Sequence, residues 1–448
     1  MSLSASPIWL NQIKTYREVA MKNWYLILLV MILYLCTGCE TAADLPDEIK
    51  ASYPKQVLVS IRNSLDFPVT DMPVLIDLDS LKGVDPEFNQ EAWVAFAGGE
   101  ELAGQVIDRD HNDLADHLLL LASLAAHESK AVYLRYASGG KIARSYTKRT
   151  QAELSHKFGG AFVSNDEGRM VYEGGAFKNV SRLRVPPEHT DHTFFIRYEG
   201  PGWESDKVGY RFYLDWRNAT DIFGKKVTRP VLQNVGQDGF DSYHEMADWG
   251  MDILKVGDAL GIGAVGYWDG EKVIRVSETD SVICSITADG TIFSEVSTGY
   301  HGWQTGKGKT DLTSALSIVA GDRKTRHEVT IDPEPDGLCT GIVKHEGVTV
   351  LREMDQTSGW GFLATYGIQS LAGDSLGMAL IFRNKDVLEI TEDNLNHVIV
   401  LKPENGNVNF YFLAAWEQEP GGISSQLHFE QYLEQEIMRL SRPVKVSF

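Results

Sequence analysis

From Val57 onward the chain is a succession of short runs rich in β-branched and aromatic residues, separated by Asn, Asp, Gly and Pro. This recurrence constrains the fold more than any other feature of the sequence, because such runs with turn residues between them form antiparallel strands. Helical periodicity is scarce between the runs, which argues against a parallel α/β sheet. The sequence therefore predicts an all-β protein.

The strand-like runs fall into two groups, separated by a polar, basic stretch from Gly139 to Thr150. We predict a small N-terminal β-sandwich over residues 55–140 and a large antiparallel β-sandwich, similar to a supersandwich, as the catalytic domain over residues 150–448. One helix is predicted near the C-terminus, where Ser424 or Ser425 can cap it. Its apolar residues recur at near-helical spacing: Leu427, Tyr432, Leu433, Ile437 and Leu440.

The N-terminal segment has the pattern of an export signal. Met21-Lys22-Asn23 precedes an apolar run over residues 24–35 that is short for a membrane span, and Cys36-Thr37-Gly38-Cys39 follows it. This ending resembles the bacterial lipoprotein box, although Cys36 stands where an aliphatic residue is usual. We expect residues 1–38 to be an upstream extension and signal, Cys39 to be lipidated, and residues 39–54 to be a tether. The protein would then lie in the cell envelope and contact the membrane through its lipid alone.

The net charge of the chain restricts its partners. At pH 7 the 448 residues carry a formal charge of −20, which makes nucleic acid an unfavourable partner. An anionic substrate would need a local basic pocket. The sequence contains no phosphate-binding glycine loop, no Gly-x-Ser-x-Gly elbow and no His-Glu-x-x-His, so nucleotide, α/β-hydrolase and zincin functions lack support. We predict no cofactor.

The sequence also gives little support for a metal site or a disulfide bond. The acidic stretch from Asp108 to Asp116 is reminiscent of a calcium loop, but it lacks the turn glycine and the distal glutamate of an EF-hand. We interpret it as an acidic hairpin turn and predict no metal site. Cys284 and Cys339 are the two cysteines after Cys39, and the sequence leaves open whether they pair.

The run from Gly209 to Arg217 has strict two-residue alternation, which gives a strand two different faces. One face is apolar and predicted to lie in the core: Tyr210, Phe212, Leu214 and Trp216. The other carries two guanidiniums, a phenol and a carboxylate: Arg211, Tyr213, Asp215 and Arg217. This second face could hold an anion, or it could be a solvated face with salt bridges.

Three nearby segments concentrate polar and aromatic residues with glycines, as ligand-binding loops do. They are residues 198–207, 241–250 and 297–303. Their candidate proton-transfer residues are His244, Tyr300 and His301. Their candidate substrate-binding residues are Trp203, Glu204, Trp249 and Trp303; the three indole rings can stack on sugar rings.

Several of these motifs resemble a bacterial family of polysaccharide-utilisation systems that was long known as a domain of unknown function. The motifs are Gly200-Pro-Gly-Trp-Glu-Ser-Asp-Lys207, Tyr210-Arg-Phe-Tyr-Leu-Asp-Trp-Arg-Asn218, Asp221-Ile-Phe-Gly-Lys225, His244-Glu-Met246 and Asp248-Trp-Gly-Met-Asp-Ile-Leu-Lys-Val-Gly257. The resemblance extends from about residue 55 to the C-terminus. The family includes the oligosaccharide dehydratase of ulvan breakdown. The resemblance therefore implies removal of water from a terminal uronic acid, which gives a 4,5-unsaturated sugar.

Chemistry, rather than the resemblance, suggests a role for each candidate. Arg211 would neutralise the uronate carboxylate and stabilise the growing enolate charge, with Arg217 as the second cation. His244 would take the C5 proton as the base. Tyr300 or Tyr213 would protonate the departing hydroxyl, with His301 as a competitor. The substrate-binding set would be Asp215, Arg217, Trp203, Glu204, Trp249 and Trp303.

Three other functions remain open at this point. A polysaccharide lyase would use the same elimination but expel a sugar instead of water. A C5 epimerase would use the arginine and the base without the acid. A non-catalytic glycan-binding lipoprotein would use the aromatic and arginine side chains for binding alone. The identity of the uronic acid and its sulfation are likewise left open.

Overall fold

The computed structural model describes residues 45–239, 242–306 and 308–448. The predicted signal, Cys39 and residues 40–44 of the predicted tether lie outside the described residues, so lipidation and an envelope location stay predictions. Among the helices of the described part, none combines the length and apolar character needed to cross a bilayer.

Residues 45–136 form two short helices and seven strands. They are α1 (Asp47–Ser52), β1 (Lys55–Arg62), β2 (Val69–Asp77), α2 (Leu78–Val84), β3 (Trp93–Ala97), β4 (Glu100–Leu102), β5 (Gly104–Ile107), β6 (His117–Leu124) and β7 (Ser129–Tyr136). Alternation explains the packing of β1, because Val57, Val59 and Ile61 are buried while Leu58 between them is exposed.

The remaining elements are mostly strands. The first group is β8 (Gln151–Glu153), β9 (Ser155–Ser164), β10 (Met170–Asn179), β11 (Arg182–Arg184), β12 (Gly202–Glu204), β13 (Val208–Phe212), β14 (Thr220–Lys225), β15 (Gly250–Asp252), β16 (Ile262–Trp268), β17 (Val273–Arg275) and β18 (Ser281–Asp289). The second group is β19 (Phe293–Thr305), β20 (Gly308–Val319), β21 (Lys324–Asp332), β22 (Leu338–Val343), β23 (Thr349–Met354), β24 (Trp360–Ile368), β25 (Ser375–Arg383), β26 (Val387–Glu392), β27 (Asn396–Leu401), β28 (Asn407–Trp416), α3 (Gln426–Ser441) and β29 (Lys445–Ser447).

These strands form a small and a large antiparallel sandwich. In the small one, the sheet β29-β1-β7-β3-β4 packs on the sheet β2-β6-β5. In the large one, the nine-stranded sheet β11-β18-β19-β20-β21-β28-β25-β24-β23 shares a core with the sheets β15-β14-β13-β12-β8 and β17-β16-β22-β27-β26. The all-β fold class is confirmed. The pairing of β29 with β1 returns the end of the chain to its first strand.

The predicted C-terminal helix is confirmed as α3. Its apolar face, with Phe429, Leu433 and Ile437, packs against strands of the nine-stranded sheet. The side chain of Ser425 accepts a hydrogen bond from the backbone N–H of His428, so Ser425 is the cap.

Replacing Ser425 with alanine should lower the free energy of unfolding by about 1 kcal/mol, because one N–H of the first helical turn loses its acceptor. Urea denaturation would measure the change. Ser424→Ala is the matched control, since Ser424 is the neighbouring exposed serine that does not cap. Equal losses in both variants would contradict the assignment.

The strand β13 determines the position of the candidate site, because it carries Arg211. Tyr210 and Phe212 project into the core of the large sandwich, and Leu214 follows them there. Arg211 therefore projects from the opposite face of the sheet. Trp216 corrects the prediction: β13 ends at Phe212, and the Trp216 ring is 43% exposed and packs on the guanidinium of Arg275.

Candidate functional site

Arg211 is the centre of a buried polar cluster on the outer face of the sheet β15-β14-β13-β12-β8. The register pairs Arg211 with Asp221 and Phe223 with Asp252, so both aspartates share the face of Arg211. Nη2 of Arg211 lies 2.7 Å from Asp221 Oδ2 and 2.6 Å from Asp252 Oδ2. One guanidinium thus holds two carboxyl groups from neighbouring strands.

Two tyrosine hydroxyls complete the coordination of this guanidinium. Arg211 donates to Tyr213 Oη at 3.0 Å and to Tyr243 Oη at 2.9 Å, and Tyr213 in turn donates to Asp221 at 2.5 Å. Burial is the main cause that raises the pKa of both phenols, although the positive charge of Arg211 opposes it. Both hydroxyls are therefore neutral proton donors at physiological pH.

His244 is the exposed member of this group. It lies in a short 3₁₀ turn, its side chain is 39% exposed, and its Nε2 is 3.6 Å from Asp252 Oδ2. Asp252 itself is buried. We name the group Arg211, Tyr213, Asp221, Tyr243, His244 and Asp252 the Arg211 cluster. It connects a solvent-accessible imidazole to buried carboxyl and phenol groups.

Asp252 carries a raised pKa in this cluster. Burial is the largest cause, and the neighbouring negative charge of Asp221 adds to it, while Arg211 opposes both. Two carboxyl groups on one guanidinium cannot both ionise without cost, so they share a proton. Asp252 is the one that holds it.

The pH dependence of the free energy of unfolding should show that Asp252 is protonated in the folded protein. Because the pKa of Asp252 is raised on folding, its contribution to stability is complete below the unfolded value of 3.8 and is lost as pH rises toward the folded value. We expect the stability of the wild type relative to Asp252→Asn to decrease as pH rises from about 4 into the neutral range. Urea denaturation across this range would measure it, and parallel curves for the two proteins would contradict it.

Arg217 forms a second cluster beside the first. Its guanidinium bonds Asp191 at 2.7 Å, Glu199 at 2.8 Å and Asp215 at 2.5 Å. It also lies 4.1 Å from the centre of the Tyr213 ring, which Arg211 contacts at 4.9 Å. Burial opposes ionisation of Glu199, but the charges of Arg211 and Arg217 outweigh it and lower its pKa. Tyr213 thus links the two clusters.

The segment that supplies Glu199 has an unusual backbone. His192, Phe194, Tyr198 and Glu199 all have positive φ, between 38° and 70°. Such conformations cost free energy in residues other than glycine and concentrate at functional sites. The strained backbone of this segment is therefore a further indication that this edge of the Arg211 cluster is functional.

Sequence reasoning overlooked part of both clusters. Asp221 and Asp252 stand inside the motifs of the resemblance but were not singled out, and Tyr243 is the neighbour of His244. The feature that could have identified the two aspartates is their two-residue spacing from apolar residues on short strands. Asp191 and Glu199 gave no such signal, since an irregular loop brings them to Arg217.

Both predicted arginines are present, but the expected carboxylate clamp needs correction. Each guanidinium already binds two or more carboxyl groups of the protein. Arg211 is also buried, with 3% of its side chain exposed. Arg211 and Arg217 therefore organise their clusters and do not offer free donors to a uronate. Asp215 bonds Arg217 and has a fully buried side chain, so it does not reach a sugar hydroxyl.

Three further candidates lie inside the core. Trp203 is fully buried and donates to Thr325 Oγ1 at 2.9 Å, and Trp303 and Tyr300 are buried between the sheets. Alternation directs Trp203 inward from β12, and an irregularity in the pairing of β19 between Tyr300 and Trp303 lets both of these rings face the core. The assignments of Trp203 and Trp303 to sugar stacking and of Tyr300 to the acid are therefore corrected.

The remaining candidates also lie outside the clusters. Glu204 is fully buried, pairs with Lys225 at 2.5 Å and accepts two backbone N–H groups. It is a structural ion pair rather than a sugar contact. His301 is exposed on β19 and lies 3.3 Å from Asp311. Trp249 is half-buried and packs edge-on against Phe223, which also packs edge-on against Tyr243.

Two groups of side chains are spaced as metal ligands would be. Asp108, Asp110 and Asp116 form one group, and Asp191, His192 and Glu199 form the other. Backbone N–H groups bond Asp108 in the loop between β5 and β6, while Arg217 bonds Asp191 and Glu199. Cys284 and Cys339 are both buried and free.

Comparison with known proteins gives one family. The family described as "Domain of unknown function (DUF4861)" matches residues 61–446. No curated protein matches the sequence.

Two solved structures from Enterococcus faecalis share weak structural similarity. One is a protein in glycosyl hydrolase family 38, with 8% identity and a TM-score of 0.44. The match covers 87% of this chain and 47% of that protein. The other is an alpha-mannosidase from strain V583, with 8% identity and a TM-score of 0.37, covering 88% and 46%. The chain thus spans about half the length of either protein. At these TM-scores the similarity carries no argument about function.

Proposed function

We propose a function for this chain, which belongs to the DUF4861 family, from the chemistry of the Arg211 cluster. In broad form the protein processes carbohydrate. In specific form it is a dehydratase that removes water from the terminal uronic acid of an oligosaccharide and leaves a 4,5-unsaturated sugar. The resemblance of its motifs to the dehydratase family supports the specific form, and the cluster supplies the groups that the reaction needs.

One observation carries the proposal: an exposed imidazole stands directly over buried proton donors. His244 reaches solvent, while Asp252, 3.6 Å from its Nε2, lies in the network of Arg211 and two tyrosine hydroxyls. A base beside an acid, with a third group that orients the base, is the arrangement of general acid–base catalysis. Elimination requires both, on adjacent carbons of one sugar.

The steps follow from these groups. His244 takes the C5 proton, and the released electron pair forms the C4=C5 bond while the C4–O bond breaks. Tyr213 or Tyr243 gives its proton to the departing oxygen, which leaves as water. The imidazolium lies beside Asp252, which is hydrogen-bonded to Asp221, and Asp221 in turn bonds the Tyr213 hydroxyl. The proton can therefore return from His244 to the Tyr213 oxygen through the two carboxyl groups.

Arg211 has a different role here from the one that the sequence suggested. It is a positioning residue, because its donors hold both tyrosine hydroxyls and both aspartates in place. Its charge favours the tyrosinate that forms when the acid gives up its proton. The uronate carboxylate would be held elsewhere on the exposed side of the cluster.

A panel of uronate-containing and neutral oligosaccharides, followed by mass spectrometry and absorbance of the unsaturated product, would test the function. A dehydratase gives a product lighter by one water with the same number of sugars. Two fragments, one unsaturated, would indicate a lyase, and two saturated fragments a glycoside hydrolase. Binding without any product would support the glycan-binding alternative, and an inverted C5 centre without a mass change would indicate an epimerase.

A further inference from the structure

A groove with two cavities lies on the face of the nine-stranded sheet opposite the Arg211 cluster. The cavities have volumes of about 430 Å³ and 410 Å³ and share Arg109, Glu328 and Arg383 in their walls. Along β21, Thr325, His327 and Val329 are buried toward the core of the large sandwich, so Arg326 and Glu328 project into the groove. The N-terminal sandwich, through β2 and the segment after β5, forms its other wall.

Three guanidiniums converge in this groove. Arg109 comes from the N-terminal sandwich, Arg326 from β21 and Arg383 from the end of β25. Arg326 bonds Glu328, but its buried Nε has no hydrogen-bond partner. Burial, and then the positive charge of Arg109, lower the pKa of Arg326 to about 10. Arg326 is thus a largely buried cation with the charge of Arg109 acting on it, Arg109 is half-buried, and Arg383 is exposed.

The acidic groups of the larger cavity do not balance these arginines. Asp71 is bound by Arg149, and Asp322 is bound by Lys324. Glu295 faces His111 at 3.4 Å. Within the described part of the chain neither Arg109 nor Arg383 forms a salt bridge. The wall of the larger cavity holds five cationic and four acidic side chains, so its positive charge is local; the smaller cavity adds Asp110, Asp386 and Glu404 with Lys385.

Two aromatic rings also lie in the wall of the groove: Tyr411 is half-buried, and Trp360 is only 7% exposed. Trp360 and Tyr411 line the larger cavity with ring centres 6.1 Å apart, and the guanidinium of Arg383 lies 5.3 Å from the Trp360 ring centre. Arginine beside aromatic rings suits a ligand with one anionic group and one flat apolar face, as a charged sugar has. A cavity of this size is in the usual range for a small-ligand site.

We propose that this groove is a second ligand site, which binds a sugar bearing a sulfate or carboxylate group through Arg109, Arg326 and Arg383. It is separate from the Arg211 cluster and does not depend on the function proposed for that cluster. The two oxyanions share the same recognition chemistry, so the experiment must distinguish them.

Isothermal titration of the full chain with three probes tests the site: glucose 6-sulfate, glucuronate and inorganic sulfate, with glucose as the neutral reference. We expect at least one charged sugar to bind, and the double variant Arg109→Gln/Arg383→Gln to weaken it by about tenfold or more through loss of charge-assisted hydrogen bonds. Arg62→Gln is the matched control, because Arg62 is an exposed strand arginine outside both cavities.

His244→Ala should leave this binding unchanged, which separates the groove from the Arg211 cluster. A preference for glucose 6-sulfate or for glucuronate would identify the anion. Binding of inorganic sulfate alone, equal binding of glucose, or equal affinity in the double variant and the wild type would each overturn the proposal. A circular dichroism spectrum and melting temperature close to those of the wild type would establish that the double variant is folded.

Discussion

Turnover by His244→Ala should be about 10²- to 10⁴-fold lower than that of the wild type, because the reaction loses the group that removes the C5 proton. The fold should be preserved. His244 is exposed on a short turn, so its removal leaves no cavity in the core. Absorbance of the unsaturated product on the best oligosaccharide of the panel would measure the rate, and urea denaturation would confirm the fold.

His428→Ala provides the matched control, since His428 is an exposed histidine on α3, far along the chain from the Arg211 cluster. Its turnover should equal that of the wild type. A His244→Ala variant that retained wild-type turnover would remove His244 from the mechanism. Loss of turnover in Tyr213→Phe but not in Tyr243→Phe, or the reverse, would identify the acid.

Arg211→Ala should destabilise the protein by about 3–5 kcal/mol, because it leaves buried carboxyl groups without their cation. Asp221 and Asp252 are both nearly inaccessible, and Arg211 is their shared partner. Tyr213 and Tyr243 would lose a donor as well. Urea denaturation would measure the loss, with Arg62→Ala as an exposed control for which little change is expected.

A double-mutant cycle can separate this charge effect from simple loss of packing. If the carboxylate of Asp221 is the main uncompensated charge, Arg211→Ala/Asp221→Asn should be less destabilised than the sum of the two single variants. Additive losses would show that Arg211 acts by filling space. A loss near that of Arg62→Ala would contradict the buried network itself.

Much of the fold was predictable because burial follows local periodicity. The alternation around Arg211 correctly separated an inward face, with Tyr210 and Phe212, from an outward polar face. The helix α3 was predictable for the same reason, at its own period. The position of Trp216 was not predictable, because the alternation of inward and outward side chains does not continue beyond the end of the strand.

The candidate site was only partly predictable. Arg211, Tyr213 and His244 were expected to act together, and the structure brings them into one cluster. Tyr300 and Trp303 come from similarly glycine-rich surroundings, yet they lie in the core between the sheets and not on the outer face that carries Arg211. Composition of a segment does not distinguish a loop from an inner strand, because the distinction depends on which sheet covers it.

The sequence by itself determined the strands, their two faces, the C-terminal helix and the residue types available for proton transfer. These properties depend on neighbours two to four positions away in the chain. Tertiary structure alone decided that Asp221 and Asp252 meet on Arg211, that Glu199 and Asp191 occupy Arg217, and that arginines from two sandwiches converge in one groove. Strand register and sheet packing determine those contacts, and local periodicity determines neither of them.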